Sequence, residues 1–311
     1  MTLQQLRFLT AIVESDFNIT AAAAKLNATQ PAVSRQLLLL ERELGFQIFS
    51  RNGRGLSRMT DAGEKVIEHA RRALHEAQNI KKVSADLNDP RRGSLRIGST
   101  QTEARYILPP AIRRFRDLFP GVRLTVHQGT PEQIAEMARA GRIDVAVAAG
   151  SRDLLDTLAI HPCHRSTWRV VVPSSHPLAK TATPSLAQLG AYPLAFHLSS
   201  LTESALHGVF GEAGIEPHII LTSRDAETIK EYARLNLGVG IIADIAFDAD
   251  GDRDLAILDV SHLFPEETAW AGFPRKGVLR QYMYDFLRLL APDLTRENIE
   301  SARSRERSPA F

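Results

Sequence analysis

The sequence predicts an α+β chain of several domains: a small helical N-terminal domain with a hairpin, one long linker helix, and a C-terminal α/β domain of two lobes. The chain has 311 residues, more than one typical domain holds. Helical periodicity prevails up to residue 87, and strands alternate with helices from residue 94. Between these patterns, the segment 88–93 combines charge, proline and glycine, which predicts a hinge.

Apolar residues at helical spacing predict three short N-terminal helices around one small core. The first helix carries Leu3, Leu6, Leu9 and Ile12, the second runs from Ala21 to Leu26, and the third buries Val33, Leu37, Leu40 and Leu44. Asn27 and Ala28 form the break before the third helix. Thr29 at the N-cap position and Pro31 in the first turn mark where the third helix begins.

The start of the third helix presents a small polar face on the side opposite its apolar stripe. This face consists of Gln30, Pro31, Ser34 and Arg35. A helix of about eleven residues is roughly 16 Å long and fits the major groove of B-DNA, where Gln and Arg side chains can contact adenine and guanine edges. The segment therefore predicts a helix-turn-helix that binds DNA, and the alternative is a helical hairpin in an unrelated core.

A basic hairpin is predicted directly after the third helix, in the segment RNGRGLSR at 51–58. Asn52 and Gly53 are a strong two-residue turn signal, and Arg51, Arg54 and Arg58 are spread along the segment. Such a wing can contact phosphates or the minor groove beside the helix, whereas the alternative is a solvated basic turn. The candidate DNA-binding residues are Thr29, Gln30, Pro31, Ser34, Arg35, Arg51 and Arg54.

A long helix is predicted from Thr60 to Leu87. Its apolar positions follow a heptad pattern at Val66, Ala70, Ala73, Ala77 and Ile80. Small alanines allow close approach of another helix, so we expect pairing with the same helix of a second subunit. The alternative is a helix that packs only on its own domain.

The segment that follows the hinge predicts a two-lobed α/β domain. Strands and helices alternate as βαβαβ from SLRIGST to IDVAVAAG, and a second α/β series follows from about His164. The C-terminal strand and helix are expected to return to the first lobe. The expected domains are 1–59, 60–87, the hinge 88–93 and 94–300, with lobe I at 94–162 and 268–300, lobe II at 163–267, and a disordered tail at 301–311.

The chemistry of the expected cleft begins at the end of the first strand of lobe I. Ser99, Thr100, Gln101 and Thr102 follow that strand and precede a helix, so hydroxyls and main-chain N–H groups can hold an anion there. The alternative is a capping cluster without a ligand. The candidate effector-binding residues are Ser99, Thr100, Gln101, Thr102, Gln128 and Gly129 of lobe I and Thr202 of lobe II.

Residues 20–51 resemble the winged helix-turn-helix of LysR-type bacterial transcriptional regulators. The matching residues are Ala23, Leu26, Gln30, Pro31, Ala32, Val33, Ser34, Leu40, Glu41, Leu44, Gly45, Phe49 and Arg51. The two lobes likewise resemble the periplasmic-binding-protein-like effector domain of that family.

Longer segments narrow the resemblance to the CysB-like subgroup, over nearly the whole chain. They are TQTEARYILP, HQGTPEQIAE, DAETIKEYARLNLGVGIIA and LRQYMYDFLRLLAPDLTR. The resemblance implies a homodimer that assembles into a homotetramer and controls genes for sulfate uptake and cysteine synthesis. It also implies an acetylated serine as inducer, sulfate-like anions in the cleft, and RNA polymerase as a further partner.

Three residues depart from the pattern of the subgroup. Glu103 replaces a usual glutamine, Ala149 a threonine, and Ser166 a frequent aromatic residue. A poorly solvated carboxylate beside a bound dianion is repulsive by several kcal/mol, so Glu103 must point away, be protonated or meet a cation. A LysR-type regulator of a different pathway, with a different effector, therefore remains the alternative function.

Composition agrees with an N-terminal DNA contact and an intracellular protein. Residues 1–93 carry 14 Lys and Arg against 10 Asp and Glu, whereas the remainder carries 24 against 26. Cys163 is the single cysteine, so no disulfide framework is expected, and neither an export signal nor a run of eighteen apolar residues is present. A cytoplasmic protein is the resulting prediction.

Other functional classes find little support in the sequence. The loop DADGDRD lacks the glycine and glutamate positions of a calcium loop, and His161, Cys163 and His164 fit no zinc signature. No nucleotide-binding, HExxH or GxSxG pattern occurs, so no catalytic residue, cofactor or metal is predicted. The rival non-enzymatic classes are a solute-binding protein, which would need an export signal, and an architectural DNA protein without a ligand.

Overall fold

The computed structural model describes residues 1–52, 55–150, 155, 158–197 and 200–304. The chain forms two compact units that divide between Leu87 and Asn88. Each unit has its own apolar core. None of the helices in these residues is long and apolar enough to cross a membrane.

The N-terminal unit contains the three predicted helices, the predicted hairpin and the long helix. The helices are α1 (Leu3–Val13), α2 (Ile19–Lys25), α3 (Gln30–Leu44) and α4 (Asp61–Asn88), and the strands are β1 (Phe49–Asn52) and β2 (Gly55–Met59). Gly45 ends α3 at a positive φ of 79°, which a glycine adopts without steric cost. This turn directs the chain from α3 into the antiparallel hairpin β1–β2.

The apolar stripe of α4 is covered only near its start. Ile67 and Ala70 are buried in the core of the N-terminal unit. Farther along the same helix, Ala73 is exposed, Ile80 is 72% exposed and Val83 is also exposed. Among the side chains of α4 that the structure describes, Ile80 and Val83 of the second half are therefore left exposed.

The first sheet of the C-terminal unit forms lobe I. Its strands are β3 (Gly93–Ser99), β4 (Val122–Gln128), β5 (Val145–Ala149), β6 (Leu158–Ser166) and β12 (Glu267–Pro274), in the order β4-β3-β5-β12-β6. β3 runs parallel to β4 and β5, whereas β12 is antiparallel to β5 and β6. This arrangement confirms the predicted βαβαβ unit and the return of the chain to lobe I.

In the described part of lobe I, the sheet is accompanied by a π-helical turn and by helices that pack against it. They are the π-helical turn at Glu103–Ile107, α5 (Leu108–Leu118), α6 (Pro131–Arg139), α10 (Gln281–Leu290) and α11 (Arg296–Ser304). Phe115 of α5 contacts Phe286 of α10 edge to face, with ring centroids 5.4 Å apart. Packing against α10 thus holds α5 in place, and α5 follows the predicted effector residues Thr100, Gln101 and Thr102 in the chain.

The second sheet forms lobe II, in the order β11-β7-β10-β8-β9. Its strands are β7 (Trp168–Pro173), β8 (Leu194–His197), β9 (Ile219–Ser223), β10 (Val239–Ala243) and β11 (Leu255–Asp259). Its helices are α7 (Leu186–Gly190), α8 (Ser200–Glu212) and α9 (Ala226–Arg234), with short 3₁₀ turns at Pro177–Lys180 and Asp244–Ala246. β8, β9 and β10 are parallel neighbours, so their carboxyl ends lie at one edge.

Two expected boundaries differ from the structure. Lobe II was expected from residue 163, but β6 continues to Ser166 and pairs with β12 of lobe I. The expected disordered tail from residue 301 is wrong for residues 301–304, which complete α11. Ile299 is buried and Arg303 Nε donates to the Pro274 carbonyl at 2.9 Å, so both residues hold this helix on lobe I. Residues 305–311 lie outside the described residues.

Candidate nucleic-acid interface and effector cleft

The start of α3 exposes the polar face that the sequence predicts. Gln30, Pro31 and Arg35 are exposed and Ser34 is half-buried. Val33, Leu37 and Leu40 are buried on the other side of the helix, where they join the core of the unit. This burial pattern leaves the first turn of α3 accessible to a partner.

Thr29 occupies the N-cap position of α3 but does not cap it with its side chain. Its backbone is extended and its hydroxyl makes no capping hydrogen bond. The Val33 N–H instead donates to the Thr29 carbonyl at 3.1 Å. The exposed Thr29 hydroxyl is therefore not committed to the helix end.

Arg51 is anchored by a buried glutamate that the sequence analysis did not single out as a structural residue. Glu41 is 7% exposed, and its Oε1 accepts a hydrogen bond from the Ile48 N–H at 2.9 Å. Arg51 Nη2 lies 3.4 Å from the other oxygen of Glu41, while 40% of the Arg51 side chain remains exposed. Glu41 thus orients an arginine at the base of the hairpin. Arg54 lies outside the described residues, and Arg58 on β2 is exposed.

A cavity of about 280 Å³ lies where the carboxyl ends of strands from the two lobes meet. Most of its lining residues have polar side chains, and they come from both lobes. The lining residues are Thr100, Gln101, Thr102, Glu103, Gln128, Gly129, Thr130, Pro131, Gln133, Ala149, His197, Arg224 and Glu267. The position agrees with the rule that open α/β sheets bind ligands beyond the carboxyl ends of their strands.

Five of the seven predicted effector residues line this cavity: Thr100, Gln101, Thr102, Gln128 and Gly129. Ser99 does not, because its side chain is fully buried and its hydroxyl donates to the Val147 carbonyl at 2.9 Å. The prediction of Ser99 as a ligand contact is therefore wrong. Thr202 lies on α8, and its side chain is outside what the structure describes.

Glu103 is a buried acid in the wall of the cavity. Its side chain is 4% exposed, and the Thr100 hydroxyl donates to its Oε2. The pKa of Glu103 is raised to about 7, mainly by burial and to a smaller extent by nearby Glu267, and the bond from Thr100 opposes the shift. Glu103 thus belongs to the cavity wall, and its carboxyl group is bonded to Thr100, another lining residue.

Lobe II contributes His197 and Arg224, which sequence analysis missed. His197 Nε2 lies 3.0 Å from Thr102 Oγ1 and 3.2 Å from the Arg224 carbonyl oxygen. A carbonyl can only accept, so Nε2 carries the proton and Nδ1 is an acceptor. Burial lowers the pKa of His197, and its Nδ1 has no hydrogen-bond partner within the described residues.

A second contact between the lobes is made by the π-helical turn at Glu103–Ile107 of lobe I. The Tyr106 hydroxyl donates to Glu227 Oε1 at 2.6 Å, and Arg105 Nη2 lies 3.5 Å from that oxygen. Glu227 also meets Lys230 Nζ at 2.7 Å, and the buried Lys230 pairs with Asp252 at 2.8 Å. π-helical turns often occur at functional sites, and this one links the cavity to α9 of lobe II.

The acidic loop at 248–254, before β11, has a structural role. Asp252 accepts from Lys230, and Asp254 accepts from Arg234 Nε at 2.9 Å. These ion pairs hold the loop against α9. Within the described residues, no group of three or more His, Cys, Asp or Glu side chains could hold a metal ion.

A helix-turn-helix with a wing, joined through a long helix to a two-lobed domain with a polar cleft, defines a class of ligand-responsive transcriptional regulators. The chain belongs to the LysR family of this class. Residues 3–64 match the bacterial regulatory helix-turn-helix of the lysR family, and residues 88–295 match the LysR substrate binding domain.

Within the family, the chain is similar to CysB and Cbl regulators. The HTH-type transcriptional regulator CysB of Haemophilus influenzae is 42% identical over 97% of this chain and 94% of its own length. The CysB of Burkholderia cenocepacia is 38% identical over 97% of both proteins. The crystal structure of the cofactor-binding domain of the Cbl transcriptional regulator matches with a TM-score of 0.64 and 34% identity, over 68% of this chain and 92% of that domain. The predicted family and subgroup are confirmed, and these relatives are named as transcriptional regulators rather than enzymes.

Proposed function

We propose that this protein is a sequence-specific DNA-binding regulator of genes for sulfur assimilation and cysteine biosynthesis. A small anionic or acetylserine-like effector in the interlobe cavity would control it. The observation that carries the proposal is the hydroxyl-lined cavity, located between the lobes of a chain with extensive identity to CysB regulators. No catalytic residue or cofactor forms part of this function.

The DNA contacts of the proposal divide into two kinds. Gln30, Ser34 and Arg35 would meet base edges, because they lie at the accessible start of α3. Arg51 and Arg54 of the hairpin, together with Thr29 and Pro31, would contact the backbone and fix the register. The exposed part of the Arg51 guanidinium supports this assignment, since Glu41 holds only one of its sides.

The effector contacts of the proposal are hydroxyl and amide groups of both lobes. Thr102 and Gln101 stand at the start of the helix that leads into the π-helical turn, where main-chain dipoles favour an anion. Gln128 and Gly129 face them from the end of β4, and Thr202 of α8 would complete the set from lobe II. Closure of the lobes would then depend on the ligand.

The oligomer is a further part of the proposal. The uncovered stripe of α4, with Ile80 and Val83 exposed, supports pairing of two subunits through this helix. Two dimers would form a homotetramer whose DNA-binding domains contact half-sites about 34–36 Å apart, or multiples of that spacing. RNA polymerase is a further proposed partner, and a protein that acts on promoters would work in the bacterial cytoplasm.

In the proposed domain arrangement, each segment of the chain has one of these roles. Residues 1–59 bind DNA, 60–87 pair subunits, 88–93 form a hinge and 94–300 bind the effector. The β-hairpin at 49–59 and the start of α4 at Asp61 support the first of these boundaries.

Mobility-shift assays on promoters of sulfate-uptake and cysteine-synthesis genes test the proposal. The full-length protein should bind these promoters far more tightly than unrelated DNA of equal length, since specific binding typically exceeds non-specific binding by about 10³-fold or more. Equal affinity for both kinds of DNA would contradict a sequence-specific regulator. Specific binding to promoters of other pathways only would favour the second candidate, a LysR-type regulator with another target.

The second candidate is favoured by three residues that differ from the pattern of the CysB-like subgroup. They are Glu103, Ala149 and Ser166. Two of these residues, Glu103 and Ala149, line the cavity, so the differences from the subgroup affect the ligand directly. Ser166 ends β6 opposite Glu267, which also lines the cavity.

A further inference from the structure

Glu103 places a carboxyl group in the cavity wall without a basic partner. The donors to this carboxyl are the Thr100 hydroxyl and main-chain N–H groups of Glu103 and Ala149. Within the described part of the chain, no lysine or arginine forms an ion pair with Glu103. A buried carboxylate is stable only with a compensating charge or sufficient donors.

The charged groups around Glu103 increase its need for a compensating charge. Glu267 of β12 lines the same cavity and adds a second carboxyl group. On β6, burial and then the nearby Glu103 raise the pKa of the Cys163 thiol to about 12, which keeps it neutral. From lobe II, His197 is neutral because burial lowers its pKa, and Arg224 lines the cavity as a largely exposed residue.

His197 is a neutral polar residue in the same cavity wall. It is 5% exposed, and its Nε2 is engaged by Thr102 and the Arg224 carbonyl. Its Nδ1 is a buried acceptor without a partner among the residues described. Buried acceptors are rarely left unpaired, so His197 is a second group of this wall whose hydrogen bonding the described residues leave incomplete.

A plain dianion fits this environment poorly. It would find donors at Gln101, Thr102 and Arg224, but it would also approach the carboxyl groups of Glu103 and Glu267. An ammonium group has hydrogen-bond donors and a positive charge, which a buried carboxylate without a basic partner lacks. A ligand with both groups meets all of these requirements.

We infer that the effector is a small zwitterion whose ammonium group binds Glu103 and whose anionic end binds the donors around Thr102. The inference rests on the proposed function in one respect, the use of this cavity for an effector, and it narrows the chemical class of that effector. Glu103 is then the residue that selects amino-bearing ligands over simple anions.

Calorimetric titration of the full-length protein with matched ligand pairs tests the inference. Taurine and isethionate are sulfonates of equal length that carry an ammonium or a hydroxyl group at the same position. O-acetylserine and N-acetylserine are isomers in which the amino group is free or blocked. The ammonium-bearing member of a pair should bind about tenfold more tightly, a difference of about 1.4 kcal/mol, because its ammonium group forms a charge-assisted hydrogen bond with Glu103.

Glu103→Gln identifies the group responsible. This substitution keeps the shape and removes the charge, so the preference for the ammonium-bearing ligand should disappear. Glu136→Gln is the matched control, since Glu136 is an exposed acid on α6 outside the cavity lining. A preference retained in Glu103→Gln, equal affinity within both pairs, or no binding of any of the four compounds would overturn the inference.

The dependence of wild-type affinity on pH gives a second measurement. Glu103 gains its charge as the pH rises through about 7, so taurine should bind more tightly at about pH 8 than at about pH 6, and isethionate should not. The opposite trend for taurine would show that a protonated Glu103 donates to an anion, and this result would also overturn the inference.

Failure of the inference differs from failure of the proposed function. If promoter binding is specific but the two members of each ligand pair bind equally, the proposed regulatory function stands and only the ligand class is wrong. If the pairs are discriminated but no promoter is bound specifically, the ligand class stands and the regulatory function fails.

Discussion

The Tyr106 hydroxyl of lobe I donates a hydrogen bond to Glu227 of lobe II at 2.6 Å. Tyr106 lies three residues after Glu103 on the π-helical turn, and Glu227 begins α9. Burial and the bond to Glu227 raise the pKa of Tyr106, so its hydroxyl stays protonated and remains a donor. The turn therefore contacts the cavity with one end and lobe II with the other.

Tyr106→Phe removes this donor and keeps the ring. We expect a loss of about 1 kcal/mol in the free energy of unfolding, the typical net contribution of one hydrogen bond. The effector concentration needed for half-maximal response should also change, because the contact favours one arrangement of the lobes. Chemical denaturation and effector titration measure both effects. An unchanged effector response would show that this contact does not couple the cavity to lobe II.

Arg51→Ala should weaken binding to all DNA sequences and reduce the slope of log affinity against log salt by about one unit, as expected for the loss of one phosphate contact. Salt-dependent binding assays on specific and random DNA provide the measurement. Arg51→Lys is the control, since it keeps the charge. If affinity and slope stay at wild-type values in Arg51→Ala, the hairpin does not contact the DNA backbone.

Gln30→Ala should relax base preference with a smaller effect on random DNA. A good bidentate contact to a base contributes about 1–3 kcal/mol of discrimination, and Gln30 lies exposed in the first turn of α3. Competition between the best site and its single-base variants measures the discrimination. Wild-type discrimination at every position would exclude Gln30 from base contacts.

Stability should depend on pH through Glu103. The pKa of this group is about 7 in the folded protein against an ordinary value of 4.5. Its folded pKa is raised, so its stabilising contribution is fully present below about pH 4.5 and is lost as the pH rises through about 7. Glu103→Gln should therefore melt at a higher temperature than the wild type at about pH 8, with a smaller difference at about pH 5. A difference that does not vary with pH would contradict the raised pKa.

Ile80→Glu should disrupt pairing of subunits. The side chain is 72% exposed within the chain, so the substitution costs little in the folded unit but would place a charge in the expected helix pair. Light scattering after size-exclusion chromatography should show a smaller species than the wild type. Lys81→Glu is the control, because Lys81 is an exposed residue next to the stripe. An unchanged mass for Ile80→Glu would exclude α4 from the subunit interface.

Local sequence patterns predicted most helices and the first half of the sheet topology. The apolar stripe of α3 and the alternation of strands and helices in lobe I depend on neighbours in sequence, which periodicity detects. β6 escaped prediction, because it contains Pro162 and polar residues that an edge strand tolerates. The short strand β8 is buried at all four positions, so it lacks the alternation that identifies a strand.

The cavity was predicted at the ends of β3 and β4 of lobe I, whereas its lining residues from lobe II and from β12 were missed. Thr100, Gln101 and Thr102 follow the end of β3 and could be recognised from that position. His197 meets Thr102 from 95 residues away, and Glu267 reaches the cavity from the final strand of lobe I. These residues are brought together by tertiary folding alone, and a single sequence carries no pattern that links them.

The central claim is that a ligand in the interlobe cavity changes how the N-terminal domains bind DNA. Footprinting of the full-length protein on one specific promoter, with and without saturating effector, tests it most directly, with Thr102→Ala as the cavity variant. We predict that the effector alters the length or pattern of protection for the wild type and has a weaker effect on Thr102→Ala. An identical wild-type footprint at every effector concentration, with calorimetry showing that the cavity is occupied, would contradict the account.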